Sequence, residues 1–102
     1  MFRIDFDKLA WESPHRGVQF KAFRREGKQL RLVEFTREDS EPHWCEKGHF
    51  GIVLSGELEI NFKGQIVRYP EGSAIFIPSG PASGHKARAV TSIAKLFLVD
   101  ET

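Results

Sequence analysis

Polar and apolar residues alternate along this chain with a period of two rather than 3.6. The segment Glu57-Leu58-Glu59-Ile60-Asn61-Phe62 alternates without a fault, the pattern of a strand with one face in water. Lys63-Gly64 follows as a tight turn and Gln65-Ile66-Val67-Arg68-Tyr69 returns as the partner, so residues 57–69 predict a β-hairpin. Upstream, residues 17–23 and 29–36 pair about Glu26-Gly27-Lys28, and residues 49–54 run into Gly56. Downstream, Pro70-Glu71-Gly72 turns the chain into residues 73–77. Pro78, Gly80, Pro81 and Gly84 then mark a loop, and residues 89–99 read as one last long β run rich in Val, Ile, Thr and Phe. Residues 5–12 have room for one short helical turn, and no long helix is predicted.

About seven short strands at regular spacing predict an all-β fold, a single antiparallel β-barrel or jelly roll of six to eight strands. Closure of such a barrel removes the exposed edges that would otherwise template aggregation. The length of 102 residues suits one domain, residues 1–102, because two cores would each bury too little apolar surface. Nine Phe and a hydrophobic share of 40% supply that core, which argues against disorder.

Charge excludes several partners. Fifteen Lys and Arg are scattered among fourteen Asp and Glu, so no basic stripe is available to follow a nucleic-acid backbone. No apolar run approaches the roughly 20 residues of a membrane span. Arg3, Asp5, Asp7 and Lys8 interrupt the start of the chain, unlike a signal peptide, and a cytoplasmic location is expected. The lone Cys45 has no partner for an internal disulfide, which suits a reducing compartment.

The candidate chemistry lies in two segments. His43 and Cys45 stand two apart, so in an extended stretch both leave the same face, and Glu46-Lys47-Gly48 can bend the chain to bring His49 back towards them. Gly51, on the same strand face as His49, is expected to leave space for a ligand. His85 follows after two intervening strands, and a rolled sheet can return it to the same mouth. His15, in a turn-like stretch, reads as a surface histidine. Trp44 should point to the opposite face from its neighbours, and Glu46 and Glu57 read as solvated.

With these residues in view the chain resembles the cupin superfamily. The first cupin motif is similar to His-x-His, three or four residues, Glu, six residues, Gly; here the positions hold His43, Cys45, His49 and Gly56. The second motif is matched by Gly72, Pro78 and Gly80, with His85 arriving two residues late. The resemblance covers a motif core at residues 41–88, with residues 1–16 as an N-terminal arm. It implies a double-stranded β-helix binding one divalent metal through His43, Cys45, His49 and His85.

Cys45 stands where the family has its second His and His49 where it has Glu. The softer donor set shifts preference from Mg or Mn to Zn, with Ni, Fe or Cu behind it. The implied function is binding or converting an oxygen-rich small molecule, such as a sugar, sugar acid or diketone, as a metal-dependent isomerase, hydrolase or dioxygenase. A second reading is a ligand-sensing module, since residues 43–88 also resemble the ligand-binding domains of arabinose-type transcription regulators; a separate chain would then contact DNA. A third is a structural homodimer using Phe2, Phe6, Trp11 and Trp44 as apolar surface.

Overall fold

A computed structural model describes residues 2–38 and 43–101; residues 1, 39–42 and 102, which include the first two positions of the expected motif core, lie outside the described residues. Nine strands are formed among the described residues: β1 (Glu12–His15), β2 (Val18–Arg25), β3 (Lys28–Thr36), β4 (His49–Ser55), β5 (Leu58–Asn61), β6 (Ile66–Tyr69), β7 (Ala74–Ile77), β8 (Lys86–Ala89) and β9 (Ile93–Glu101). They make a six-stranded sheet in the order β1-β2-β3-β9-β4-β7 and a three-stranded sheet in the order β6-β5-β8, antiparallel throughout. This is the all-β jelly roll that the alternation predicts, with nine strands among the described residues in place of the expected six to eight.

Local chemistry accounts for the strand joints. Glu26 and Gly27 both take positive φ, 53° and 75°, the geometry that matches the twist of the β2–β3 hairpin. The hairpin joining β5 to β6 turns at Lys63-Gly64, where the Asn61 side-chain oxygen accepts the Gly64 N–H at 2.9 Å.

One long strand expected from the sequence is corrected, while the short turn expected within residues 5–12 is present at Phe6–Lys8. Residues 89–99 are not one strand: β8 ends at Ala89 in the small sheet, and β9 begins at Ile93 in the large one. Thr91 makes the break, since its hydroxyl accepts the Glu57 N–H at 3.0 Å and donates to the Ile93 carbonyl at 2.8 Å, giving the backbone a local alternative to the ladder. The N-terminal arm also carries more structure than a turn. After a 3-10 turn at Phe6–Lys8 it adds β1 to the edge of β2 across an irregular register.

The inward faces of both sheets share one core. In β9 burial alternates residue by residue, with Ala94, Leu96, Leu98 and Asp100 inward. Val33 on β3 and Val53 on β4 flank Leu96 in register, and Leu58 and Ile60 approach from β5. Burying such side chains contributes roughly 1.5–3 kcal/mol each. The approach of β4 to β9 is so close at Gly51 that a Cβ there would fall 1.9 Å from the Phe97 carbonyl oxygen. Gly51 therefore answers to strand contact, not to the ligand space expected of it.

Candidate metal centre

Two chain segments meet at one end of the barrel. Cys45 and His85 form an isolated antiparallel bridge, with Cys45 N–H donating to the His85 carbonyl at 2.8 Å and His85 N–H to the Cys45 carbonyl at 3.0 Å. Around it, Gly80 N–H donates to the Glu46 carbonyl at 2.9 Å, and Gly48 N–H to the Ser79 hydroxyl at 2.9 Å. The loops carrying the two motifs are thus clamped together by backbone bonds. The short 46–48 connection then leads into β4 and delivers His49.

As a result the Cys45 sulfur and one ring nitrogen each of His49 and His85 lie within 4.8 Å of one another. His85 is 2% exposed, its ring edge-on to that of His49 with centroids 5.1 Å apart. His43 is not brought in: it is exposed, outside this group. Three of the four residues implied as ligands converge, and the fourth does not.

Each imidazole has its orientation set. A carbonyl can only accept, so His85 Nδ1 donates to the Ser83 carbonyl at 2.9 Å and leaves Nε2 facing the group. His49 Nδ1 donates to Asp100 Oδ1 at 2.6 Å, which leaves its Nε2 3.6 Å from Cys45 Sγ. Asp100, only 3% exposed, also accepts from Arg31 Nε at 2.6 Å and Gln29 Nε2 at 2.9 Å. Gln29 in turn accepts from Arg24 Nε at 2.6 Å, and Arg24 pairs with Glu12 at the rim.

Protonation follows from these contacts. Hydrogen bonds from His49 and then His85 pull the Cys45 thiol down to about 5, against the opposing effect of burial. Burial disfavours a charged His49, yet Asp100 and Cys45 outweigh it and push the imidazole up to about 9. His85 is likewise raised, with burial opposing and the Cys45 hydrogen bond prevailing. Burial would raise the Asp100 carboxyl, but His49, Arg31 and Gln29 hold it well below the usual carboxylate range.

The donors suit one small ion: all three lie within 4.8 Å of one another, and the Cys45–His49 pair already has the required spacing. Ligand bonds of about 2.0–2.1 Å to nitrogen and 2.3 Å to sulfur require donors about 3.5 Å apart, and the Cys45–His49 separation is 3.6 Å. An imidazole whose far nitrogen donates to a carboxylate is the usual partner arrangement of a metal-bound histidine.

Asp100, Arg31 and Gln29 were missed from the sequence. Their signal was an acid, a base and an amide on strand faces whose other members, Leu96, Leu98, Val33 and Phe35, are apolar. Below the group a cavity of about 400 Å³ runs into the barrel, lined also by His15, Lys47 and apolar side chains. His15 is half-buried there rather than on the open surface, with Nδ1 donating to the Arg16 carbonyl at 2.9 Å. Glu46 is exposed and Glu57 pairs with Arg68 at 3.3 Å; neither lines the cavity.

A jelly roll that gathers candidate metal-binding side chains at one end of its barrel has the architecture of a cupin. The comparison with known proteins agrees: the cupin domain family model matches residues 31–100, and the chain belongs to that family. No curated protein matches it significantly. Among solved structures it is similar to KdgF from Halomonas sp., at 24% identity over 94% of this chain and 91% of that one, TM-score 0.73. The polyketide cyclase RemF from Streptomyces resistomycificus matches at 20% identity over 99% and 79%, TM-score 0.80. A sugar phosphate isomerase of the cupin superfamily from Silicibacter pomeroyi matches at 15% identity over 98% and 75%, TM-score 0.78. At these identities the likeness is one of fold.

Proposed function

We propose that this cupin holds one divalent ion on Cys45, His49 and His85 and uses it to bind, and in an enzyme reading to convert, a small molecule through the molecule's oxygen atoms. One thiolate and two imidazoles favour zinc, ahead of nickel, iron or copper. The observation that carries the reading is the convergence of three donors whose orienting hydrogen bonds aim their metal-facing atoms at one another. An ion held by three protein donors would keep a position for a ligand oxygen and would supply Lewis-acid polarisation suited to isomerase or hydrolase chemistry, or, with iron, nickel or copper in its place, the redox activity a dioxygenase needs.

The chain's own residues orient the site. Asp100 is engaged by His49, Arg31 and Gln29, so among the described lining residues no free carboxylate is present to act as a base. Elemental analysis beside a visible spectrum after cobalt substitution tests the reading. About one ion per chain with intense thiolate-to-cobalt bands, lost in Cys45→Ser, is expected; protein without stoichiometric metal would end it.

A second reading concerns assembly. On the outer face of the large sheet Phe50 pairs with Phe76, whose exposure is 78%, and Ile52 and Leu54 lie alongside at 39% and 47%. Such a patch favours a homodimer through this face. Of the aromatic residues singled out in the sequence, Phe2 is 98% exposed, Trp11 lies beneath Lys21, Phe6 packs edge-on against Phe97 on the same sheet, and Trp44 lies beneath Lys86 and Lys63.

A further inference from the structure

The barrel lining changes character with depth. At the donor end the inward positions form a polar row, with Arg24 opposite Gln29 and Gln29 opposite Asp100, and Arg31 one position deeper. Beyond it the lining is hydrocarbon: Phe20, part-buried, forms a wall, and Val33, Leu58, Ile60 and Leu96, each 2% exposed or less, close the floor where the packed core begins. Ala87 of β8 completes this wall. A sugar carries a hydroxyl on nearly every carbon, and each one pushed past the donor row would be buried against carbon with no partner.

Charge at the other pole has the opposite preference. The Arg31 guanidinium lies in the lining over the Phe20 ring, 5.0 Å from the centroid, but its charge is balanced by Asp100 at 2.6 Å, whereas Lys47 stands exposed at the rim. A rim lysine, together with the divalent ion of the functional reading, gives that end of an apolar cavity a preference for an anion with a hydrocarbon tail.

Resting on the functional reading above, we infer that the ligand is an amphipathic monoanion, a carboxylate or enolised diketone whose oxygen head lies at the donor row and whose hydrocarbon body lies in the cavity above the packed core. Polyhydroxylated sugars are disfavoured. Within the oxygen-rich molecules that the sequence implies, this selects diketones and simple acids over sugar acids.

The test is a calorimetric series of straight-chain carboxylates from acetate to octanoate, with hexanol and galacturonate as controls. It is run on zinc-loaded and metal-free protein, with metal content measured in parallel. Affinity should rise about fourfold per methylene until the cavity is filled. Galacturonate should bind at least about tenfold more weakly than hexanoate, and hexanol more weakly than hexanoate. Ala87→Leu should end the rise at a shorter chain.

A flat series, or galacturonate binding as tightly as hexanoate, would overturn the inference whatever the metal content. A rising series in protein that takes up no metal would support the inference while removing the metal reading, so the two failures are distinct.

Discussion

The Asp100 carboxylate lies 2.6 Å from His49 Nδ1, although the two residues are 51 positions apart in the sequence. The pairing follows from β4 lying beside β9, which places the end of one strand against the end of the other. One carboxylate thereby fixes which nitrogen of His49 faces the sulfur, and Arg31 holds that carboxylate in place.

Asp100→Asn should therefore weaken zinc binding about 10–100-fold while the barrel still folds. Zinc titration against a competing chelator checks it. Asp100→Ala leaves the Arg31 charge without its partner and should cost about 3–5 kcal/mol in urea unfolding.

His43→Ala should leave metal content unchanged, because the residue is exposed and outside the donor group. His49→Ala, His85→Ala and Cys45→Ser should each lose stoichiometric metal. Equal loss in all four variants would place His43 back among the ligands.

In metal-free protein the Cys45 thiol titrates at about 5 instead of 9. Its alkylation by iodoacetamide should reach half its maximal rate near that pH and stay flat through neutrality, as a thiolate already formed requires. A midpoint near 9 would mean that the two imidazoles do not hold the thiolate.

Zinc uptake has the opposite pH sense. His49 is raised to about 9 and is protonated at neutrality, so the ion must displace its proton. Apparent affinity should climb at least about tenfold per pH unit towards 9, with at least about one proton released by calorimetry in buffers of differing ionisation enthalpy, since His85 is raised as well. Affinity independent of pH between 7 and 9 would contradict the assignment of His49 as a ligand.

The homodimer proposed through the Phe50–Phe76 face should be reduced to monomer in sedimentation by Phe76→Lys without a change in metal content, because Phe76 lies on the opposite side of the sheet from the site; a wild-type protein that sediments as a monomer would contradict that proposal. Gly51→Ala should cost about 3 kcal/mol or more, the added carbon being driven into the Phe97 carbonyl.

The alternation of residues 57–69 made the hairpin legible because each of those side chains chooses a face by itself. Residues 89–99 were misread because their composition favours strand throughout, and only the Thr91 hydroxyl bonds, invisible as pattern, divide them. Cys45, His49 and His85 were legible as a group through residue type and spacing. Asp100 and Arg31 were not, because their role exists only once β3, β9 and β4 are side by side. His43 shares the chemistry of a ligand, yet its position two residues before Cys45 does not turn it inward.

His85 falls two residues later than the family spacing, and the surplus is taken up by the 3-10 turn at Pro81–Ser83. What registers the second histidine is its backbone bridge to Cys45, not its count from Pro78. Insertions in that turn are thus free to accumulate in related chains without shifting the donor, whereas a proline substituted at position 45 or 85 would remove an N–H from the bridge and unlatch the pair.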